Sequence, residues 1–432
     1  MRSVWRIVLG ALVLLALSVG VRAETTPVDA LLQLIKRERW KSAMELIQSP
    51  PMKPYLEANA KEARRAALAL DDASYEMAES DRKAADATVS RFQEIAAAVV
   101  EAFPDDPDAH IAEAHGHVAL ATLNGFGKKR EDDVPPEPWA AAAASYLKAW
   151  EKAPGEAAVL ADSARYLAIA TGATASRAGE FRDESLARAG RAFEADSESF
   201  DVRDTVGRTY LLVAESFLPS DAKSAKAPLM RAAEISGALY DSADSKKKRS
   251  VGTTYNACVT LDREHKLKLK LDYRLVAASL GRGMNCKVPH SLTWIVTNSL
   301  IVQRDRHLSG VRRSVSLASY SWSTAWQFGF AGEAGGDNMK GLAKCISAQR
   351  ATDFGKVKKN RVGKGRIGRG AEKGATVTIT GKGKKGKGKR LRAFLWKDSD
   401  AKSTLCVEID DYGDVPETDP EFEAFRNSFG GK

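Results

Sequence analysis

The stretch EKAPGEAAVLADSARYLAIA, residues 151–170, decides the fold of the first half of the chain. Pro154-Gly155 ends one helix, and the alanine-rich run after it predicts the next, because Ala, Leu, Glu, Lys and Arg favour helices. The pattern recurs in EAFPDDPDAHIAEAHGHVALA, residues 101–121, and in EADSESFDVRDTVGRTYLLVA, residues 194–214. Small residues occupy matching points of the three copies, namely Gly116, Ala164 and Gly207. The sequence therefore predicts a helical repeat domain over residues 28–247.

The end of one predicted helix carries a more specific pattern. Tyr146-Leu147-Lys148-Ala149 precedes a turn at Ala153-Pro154. This resembles the tetratricopeptide-type repeat, whose second helix ends in a Tyr-x-Lys-Ala pattern before an Ala-Pro turn. The resemblance covers residues 84–240 and implies a solenoid of stacked helix pairs, with a groove that binds a protein partner. A non-repetitive helical bundle is the alternative, since alanine-rich helices align easily.

The N-terminus has the order of a secretory signal peptide. Arg2 and Arg6 are followed by an apolar run from Ile7 to Leu17, and then by Val21-Arg22-Ala23. A cleavable signal over residues 1–23 predicts a periplasmic or secreted protein that is not integral to the membrane after cleavage. An uncleaved anchor is the alternative. No later apolar run approaches the roughly 20 residues that a membrane helix requires.

The residue composition changes after residue 247. Residues 248–283 predict a connecting segment that is partly helical, with a helix around Tyr255–Arg263. Residues 284–432 alternate polar and apolar side chains, which is typical of a half-covered antiparallel sheet. The alternation is clearest in Ala375–Thr380, Leu391–Leu395 and Leu405–Ile409. The whole chain is therefore expected to be α plus α+β.

Two helices are predicted within the α+β domain. One starts at Asp337 and runs to Ser347, and the other starts at Asp419-Pro420. The second carries an apolar stripe that we expect to lie on the sheet, formed by Phe422, Phe425 and Phe429. A proline–tryptophan strand at Val288–Trp294 opens the domain. This order of elements resembles the PsbP-type α+β sandwich over residues 284–430, and the resemblance implies a binding or assembly role.

Positive charge is concentrated in one segment of this domain. From Lys356 to Arg392, fifteen Lys and Arg stand against Glu372, so the segment holds +14 in a chain whose formal charge is +10. Residues 381–389, GKGKKGKGK, predict a mobile hairpin loop, since glycine weakens local structure and lysines repel one another. Residues 356–369 have the same composition. The candidate anion-binding residues are Lys356, Lys358, Lys359, Arg361, Lys364, Arg366, Arg369, Lys382, Lys384, Lys385, Lys387, Lys389 and Arg390.

The expected ligand of these basic stretches follows from the predicted export. Outside the cytoplasm, anionic lipid, lipopolysaccharide or an acidic protein is favoured. Nucleic acid is less favoured, because the loop lacks aromatic residues on which bases stack, with Phe354 and Trp396 only at its edges. An extracytoplasmic nucleic-acid binder, and a solvated loop with no ligand, are the alternatives.

The sequence offers no catalytic motif that predicts a reaction. It contains no Gly-x-Ser-x-Gly elbow and no GxxxxGK[ST] loop. We therefore predict a non-enzymatic interaction or scaffold protein without a cofactor. The alternative is an envelope metalloprotein or hydrolase, because His110, Glu113 and His117 share a helix face at spacings that could bind Zn²⁺.

The four cysteines permit disulfides in an exported protein. They are Cys258, Cys286, Cys345 and Cys406. An even number allows two bridges, and proximity in sequence favours Cys258–Cys286 and Cys345–Cys406. Reduced buried thiols are the alternative, because a chain of this length does not depend on covalent staples.

Overall fold

The computed structural model describes residues 26–126, 135–171, 178–279, 285–290, 294–297, 301–304, 320–324, 343–344, 347–348, 350–366, 374–383, 388–397, 404–411 and 420–428. The chain divides into two compact units, residues up to Arg231 and residues from Ala232 onward. The first unit is helical and the second combines helices with antiparallel sheet, which confirms the α plus α+β class. The predicted signal peptide, residues 1–23, lies outside the described residues.

The first unit is built from helices in sequential contact. They are α1 (Pro27–Lys36), α2 (Trp40–Gln48), α3 (Met52–Glu57), α4 (Ala60–Ala102), α5 (Pro107–Gly125), α6 (Glu137–Lys152), α7 (Ala157–Thr171), α8 (Ala178–Ala195) and α9 (Phe200–Phe217). Each helix from α4 to α7 packs against the next, and α9 packs against both α7 and α8. The division between the units falls within α10 (Lys226–Ser242). No helix in the described part of the chain combines the length and apolar character needed to cross a bilayer.

Side-chain caps fix where these helices begin. Asp106 accepts a hydrogen bond from the Asp108 N–H and precedes Pro107, the first residue of α5. Within α4, Asp81 leaves the helical region with φ −155° and ψ 96°, and its carboxylate accepts from the Ala84 N–H at 3.0 Å. A capping carboxylate therefore starts a second helical segment inside α4.

Small residues lie where the helices meet. Gly116 on α5, Ala164 on α7 and Gly207 on α9, which occupy matching points of the sequence pattern, are all buried. A Cβ added at Gly116 would lie 3.6 Å from the ring of Phe92 on α4, which is ordinary contact. Small side chains let neighbouring helices approach closely, so the interior of this unit is dominated by alanine.

The second unit continues with α11 (Ser245–Glu264) and then turns to strands. They are β1 (Leu275–Ser279), β2 (Asn285–Pro289), β3 (Trp294–Thr297), β4 (Ile301–Arg304), β5 (Tyr320–Thr324), β6 (Phe354–Gly365), β7 (Gly374–Gly383), β8 (Gly388–Lys397) and β9 (Thr404–Asp411). β1 pairs with β2, and the others form one antiparallel sheet in the order β3-β4-β5-β9-β8-β7-β6. The last helix, α12 (Pro420–Asn427), lies against β2 and α11.

One face of β7 and β8 is apolar and buried, as the alternation in the sequence predicted. Its residues are Ala375, Val377, Ile379, Leu391, Ala393 and Leu395. Helical residues between 343 and 351 pack on this face, where Ala343 is fully buried. Ser347 Oγ there donates to Asn360 Oδ1 at 2.6 Å. The opposite face of these strands carries Thr376, Thr378, Thr380, Arg390 and Arg392, together with the buried Phe394.

Several boundaries differ from those expected. The predicted loop 381–389 is strand at both ends, because β7 runs to Gly383 and β8 starts at Gly388, and its middle, residues 384–387, lies outside the described residues. Residues 356–365, of the same composition, belong to β6. Pairing with neighbouring strands satisfies the backbone hydrogen-bonding groups, which outweighs the poor strand preference of glycine and the repulsion between lysines.

Helix predictions in the second unit have mixed outcomes. The helix expected at Tyr255–Arg263 is present and extends back to Ser245, because the Asp244 carboxylate accepts from two N–H groups of its first turn. The helix predicted from Asp419-Pro420 is present as α12. Asp337, the expected start of another helix, lies outside the described residues, as do the side chains of Phe422, Phe425 and Phe429.

The segment between α11 and β1 has an unusual backbone. Lys266, Lys268 and Lys270 have φ values of 53°, 65° and 62°. This left-handed conformation costs a residue other than glycine about 1–2 kcal/mol. All three lysine side chains are exposed. We call residues 266–271 the lysine segment.

Asp262, a buried residue of α11, holds this backbone in place. The Leu267 N–H donates to the carbonyl of Asp262 at 2.9 Å. The Leu269 and Leu271 N–H groups donate to its two carboxylate oxygens at 2.9 and 3.5 Å. Backbone that alternates in handedness forms such nests of N–H groups around an anion, and here the anion belongs to the protein itself.

The structure also corrects the expected disulfide pairing. Cys258 is buried within α11 as a thiol, which contradicts the pairing of Cys258 with Cys286. A helix interior of this kind readily accommodates cysteine as a small apolar residue. Cys345 lies outside the described residues, so the pairing of Cys345 with Cys406 stays a prediction.

Candidate functional site

The register across β6, β7 and β8 gathers basic side chains on one face of the sheet. Two cross-strand rows are Lys359–Thr380–Arg390 and Arg361–Thr378–Arg392. Residues that pair directly point to the same face of a sheet, so the four cations of these rows are neighbours. With strands about 4.8 Å apart, each row spans about 10 Å from β6 to β8.

A bulge in β6 adds a third row to the same face. Lys356 pairs with Lys382 and Lys359 pairs with Thr380, so the register skips a residue at Lys358. On a regular strand, residues three apart point to opposite faces. The extra residue of the bulge puts Lys356 and Lys359 on one face instead. We call this surface the basic face; it consists of Lys356, Lys359, Arg361, Lys382, Arg390 and Arg392.

Gly381 is required by the close backbone approach at this bulge. A Cβ added there would lie 2.1 Å from the carbonyl oxygen of Lys356 and 3.0 Å from Cα of Val357. No side chain fits at such distances, so glycine is needed for pairing of the strands. At this position the glycine-rich composition therefore serves the sheet rather than loop mobility.

The exposure of the cations changes from β6 to β8. Lys356, Lys359 and Arg361 on β6 are exposed, whereas Arg390 and Arg392 on β8 are each only 8 % exposed. A charge that is largely removed from water interacts more strongly with an opposite charge than an exposed one does. The cations that an anion can reach on this face are therefore those of β6, while Arg390 and Arg392 are largely shielded from solvent.

Among the described strands, few acidic residues pair with the cations of the basic face. Asp411 on β9 pairs with Arg390, and the corresponding partner of Arg392 is Ile409. Lys356 and Lys382 face each other directly, which is unfavourable between like charges. The exposed side chains of Lys356, Lys359 and Lys382 therefore make this face suitable for an anionic ligand.

The hydroxyl groups between the cations suit the same chemistry. Thr378 and Thr380 are half-buried and lie at the middle of their rows. A hydroxyl donor flanked by guanidinium and ammonium groups matches an oxyanion such as a phosphate, since charge-assisted hydrogen bonds are the strong ones. Among the described residues of the basic face, no nucleophile is paired with a base.

The structure gathers some of the predicted anion-binding residues and separates others. Lys356, Lys359, Arg361, Lys382 and Arg390 lie together on the basic face. Lys358 lies at the bulge, and Lys364 pairs with Ala375, a residue of the buried face. Arg366 is exposed just after β6. Arg369, Lys384, Lys385, Lys387 and the side chain of Lys389 lie outside the described residues.

Arg392 is the member of the basic face that sequence reasoning missed. It lies two residues after Arg390 on β8, so period-two alternation puts both on one face. The period-two alternation of β8 carries this signal, although the apolar neighbours Leu391 and Ala393 indicate only a buried face.

The proposed zinc ligands do not come together. His110 Nε2 lies 2.9 Å from the Pro104 carbonyl oxygen, and Glu113 accepts from Ser145 Oγ at 2.7 Å. His117 Nδ1 lies 3.4 Å from Gln93 Nε2. Within the described ranges no three His, Cys, Asp or Glu side chains are arranged to hold a metal ion. Sharing one helix face does not suffice, because each side chain turns toward a different neighbour.

A buried polar network in the first unit was also missed. His115 Nδ1 lies 3.0 Å from Asp71 Oδ2, and His115 Nε2 lies 3.1 Å from the Tyr146 hydroxyl. The Tyr146 ring stacks on Tyr166 at 5.5 Å between centroids. The Arg165 guanidinium lies over the Tyr166 ring at 4.6 Å and donates to its hydroxyl at 2.8 Å. Four helices, α4 to α7, thereby share one set of contacts.

The chemistry of this network is structural. Burial raises the pKa of the Tyr146 phenol well above its ordinary value, so the hydroxyl stays protonated and can donate to His115. His115 then carries its proton on Nδ1 and donates to Asp71. Tyr146 is only 2 % exposed, which leaves no access for a substrate. His115, Asp71 and Tyr146 therefore link helices α4, α5 and α6 and stabilise their packing.

An open cleft lies elsewhere in the first unit. It is lined by the α1–α2 turn, including Glu38 and Trp40, and by the α4 residues Asp72, Glu76 and Glu79. An aromatic ring beside several carboxylates suits a basic peptide segment better than a small apolar ligand.

Comparison of the sequence with known protein families and with curated proteins finds no match.

Proposed function

We propose that the chain is an exported, non-enzymatic scaffold that binds an anionic surface or polymer through the basic face and a protein partner through its helical unit. The three basic rows across β6, β7 and β8 carry this proposal. They bring the exposed side chains of Lys356, Lys359, Arg361 and Lys382 together on one face of the sheet. Binding without turnover fits this arrangement, since it presents donors and charge but no reacting group.

The packing of the helical unit supports the second half of the proposal. Sequential contacts from α4 to α9, with α9 also against α7, support a stack of helix pairs such as the resemblance to tetratricopeptide-type repeats implies. The cleft beside Trp40 offers one place for a partner. The α+β unit, in keeping with the resemblance to PsbP-type domains, carries the anion-binding part. Export of the chain to the periplasm or the exterior belongs to the same proposal.

Neutralising the exposed cations of β6 tests the basic face. In a variant with Lys356→Gln, Lys359→Gln and Arg361→Gln, we expect affinity for lipopolysaccharide and for anionic vesicles to fall about fivefold for each charge removed. Binding is measured by co-sedimentation at low and at physiological salt, because such contacts weaken as salt rises.

A matched control removes the same charge elsewhere. Lys41, Lys61 and Lys83 are exposed on helices of the first unit, and their replacement by Gln should leave the affinity within about twofold. Equal losses in both variants would show that only net charge matters, and the basic face would then be rejected. RNA measured in parallel decides the nucleic-acid alternative, which is favoured if RNA alone discriminates between the variants.

A further inference from the structure

The lysine segment is a second cationic feature of the α+β unit, separate in sequence from the basic face. Lys266, Lys268 and Lys270 alternate with leucines, and all three are exposed and left-handed. Glycine, or to a lesser extent asparagine, adopts that backbone with less strain than lysine. The backbone conformation alone therefore does not explain lysine at all three positions.

The charges of the lysine segment are not used within the described part of the chain. No described carboxylate forms an ion pair with Lys266, Lys268 or Lys270. The nearby Asp272 pairs with Arg263 at 3.3 Å instead, and the carboxylate of Asp262 accepts from backbone N–H groups. The three ammonium groups therefore face solvent, while hydrogen bonds to Asp262 hold their backbone in place.

We propose that Lys266, Lys268 and Lys270 bind the phosphate groups of an anionic lipid surface. This inference rests on the proposed function, which it deepens by naming the surface. The hydrogen bonds to Asp262 fix the backbone before binding. A cation row on a preformed backbone loses less conformational entropy on binding than the same residues in a flexible loop.

The residues between the lysines favour lipid over nucleic acid. Leu269 and Leu271 are half-buried, so apolar carbon lies beside the charges, as it does in segments that bind at a lipid interface. Bases need an exposed ring on which to stack. Among Phe, Tyr and Trp, the nearest residue in sequence is Tyr273, which is only 9 % exposed; Arg263 lies over its ring at 4.6 Å, and its hydroxyl is hydrogen-bonded to Thr260.

Neutralising the three lysines tests the proposal on the full chain. Replacement of Lys266, Lys268 and Lys270 by Gln should weaken binding to vesicles of phosphatidylcholine with phosphatidylglycerol about a hundredfold in total. Vesicles of phosphatidylcholine alone should bind neither protein. The Lys41, Lys61 and Lys83 variant is the matched control. An unchanged affinity, or a loss confined to RNA or an acidic peptide, overturns the proposal.

Glycine variants separate binding from a role in shaping the backbone. Replacing all three lysines by Gly relieves the strain, so the thermal midpoint should rise while vesicle binding falls as in the Gln variant. If the Gly variant still binds vesicles, the lysines do not bind a lipid surface.

The β6 variant is measured in parallel to separate the two sites. Loss of vesicle binding only in the lysine-segment variant supports the present inference and rejects the basic face. Loss only in the β6 variant overturns the present inference and leaves the basic face standing. Partial losses in both support two contacts with one surface.

Discussion

His115 on α5 and Asp71 on α4 form the closest polar link between those helices in the buried network, with Nδ1 and Oδ2 3.0 Å apart. The two residues are 44 positions apart in sequence. Their contact depends on Tyr146 from α6, whose hydroxyl occupies the other ring nitrogen of His115. The Tyr146 hydroxyl thus sets the tautomer and ring orientation of His115, and His115 in turn links α4, α5 and α6.

Removal of the Tyr146 hydroxyl should expose this dependence. Tyr146→Phe leaves His115 Nε2 buried without its donor, which costs about 1–3 kcal/mol of unfolding free energy. Urea denaturation measures the change. Tyr210→Phe on α9 is the control, since its half-buried hydroxyl makes no hydrogen bond to the described residues, and equal losses in the two variants would contradict the role of the network.

His117 should make stability depend on pH. Burial lowers the pKa of its imidazole below the ordinary 6.5, with Glu113 opposing the shift. The unfolded chain therefore takes up this proton more readily than the folded chain, so its contribution is complete above pH 6.5 and decreases as pH falls toward the lowered value. His117→Gln should flatten that part of the stability profile. A profile unchanged by His117→Gln would refute the assignment.

Gly381 should not tolerate a side chain. In Gly381→Ala the new Cβ meets the Lys356 carbonyl oxygen, and overpacking of this kind costs about 1–3 kcal/mol. At Gly363 on β6, the nearest atom to a new Cβ is Thr376 Oγ1 at 3.5 Å, so Gly363→Ala should be near neutral. Thermal unfolding of both variants checks the difference, and anion binding should fall only in the first. Equal midpoints would mean that the bulge is not needed.

Asp262 should matter far more than its neighbour Asp272. Asp262→Ala removes the acceptor of backbone N–H groups in the lysine segment and should cost about 1–3 kcal/mol. Asp272 is almost fully exposed, so Asp272→Ala should change stability by less than about 0.5 kcal/mol. Hydrogen exchange at Leu269 and Leu271 gives a local readout. Retained protection of these amides in Asp262→Ala would contradict the anchoring role.

Sequence patterns predicted the elements well wherever local signals govern. Pro420 at the start of α12 and the alternation in β7 and β8 both act over a few residues. Such signals do not depend on the rest of the fold, so they can be read before it is known.

Features created by pairing between distant segments could not be predicted in this way. The bulge at Lys358 sets which lysines share a face, and it becomes visible only when β6 is aligned with β7. The shared face of His110, Glu113 and His117 suggested a metal site, yet their partners come from α4, α6 and the turn before α5. A helical projection shows which face a side chain is on and not which neighbour it contacts.

The position of β6 at the end of the strand order has a consequence for how copies of the chain behave together. An end strand presents unpaired backbone groups to which another molecule can add, and cationic side chains along it repel a second copy. Repulsion of this kind is weakened by salt, so the same lysines that favour an anionic ligand should also keep the chain from self-association in dilute buffer. An anion that neutralised them would remove that protection and bring copies together on its surface.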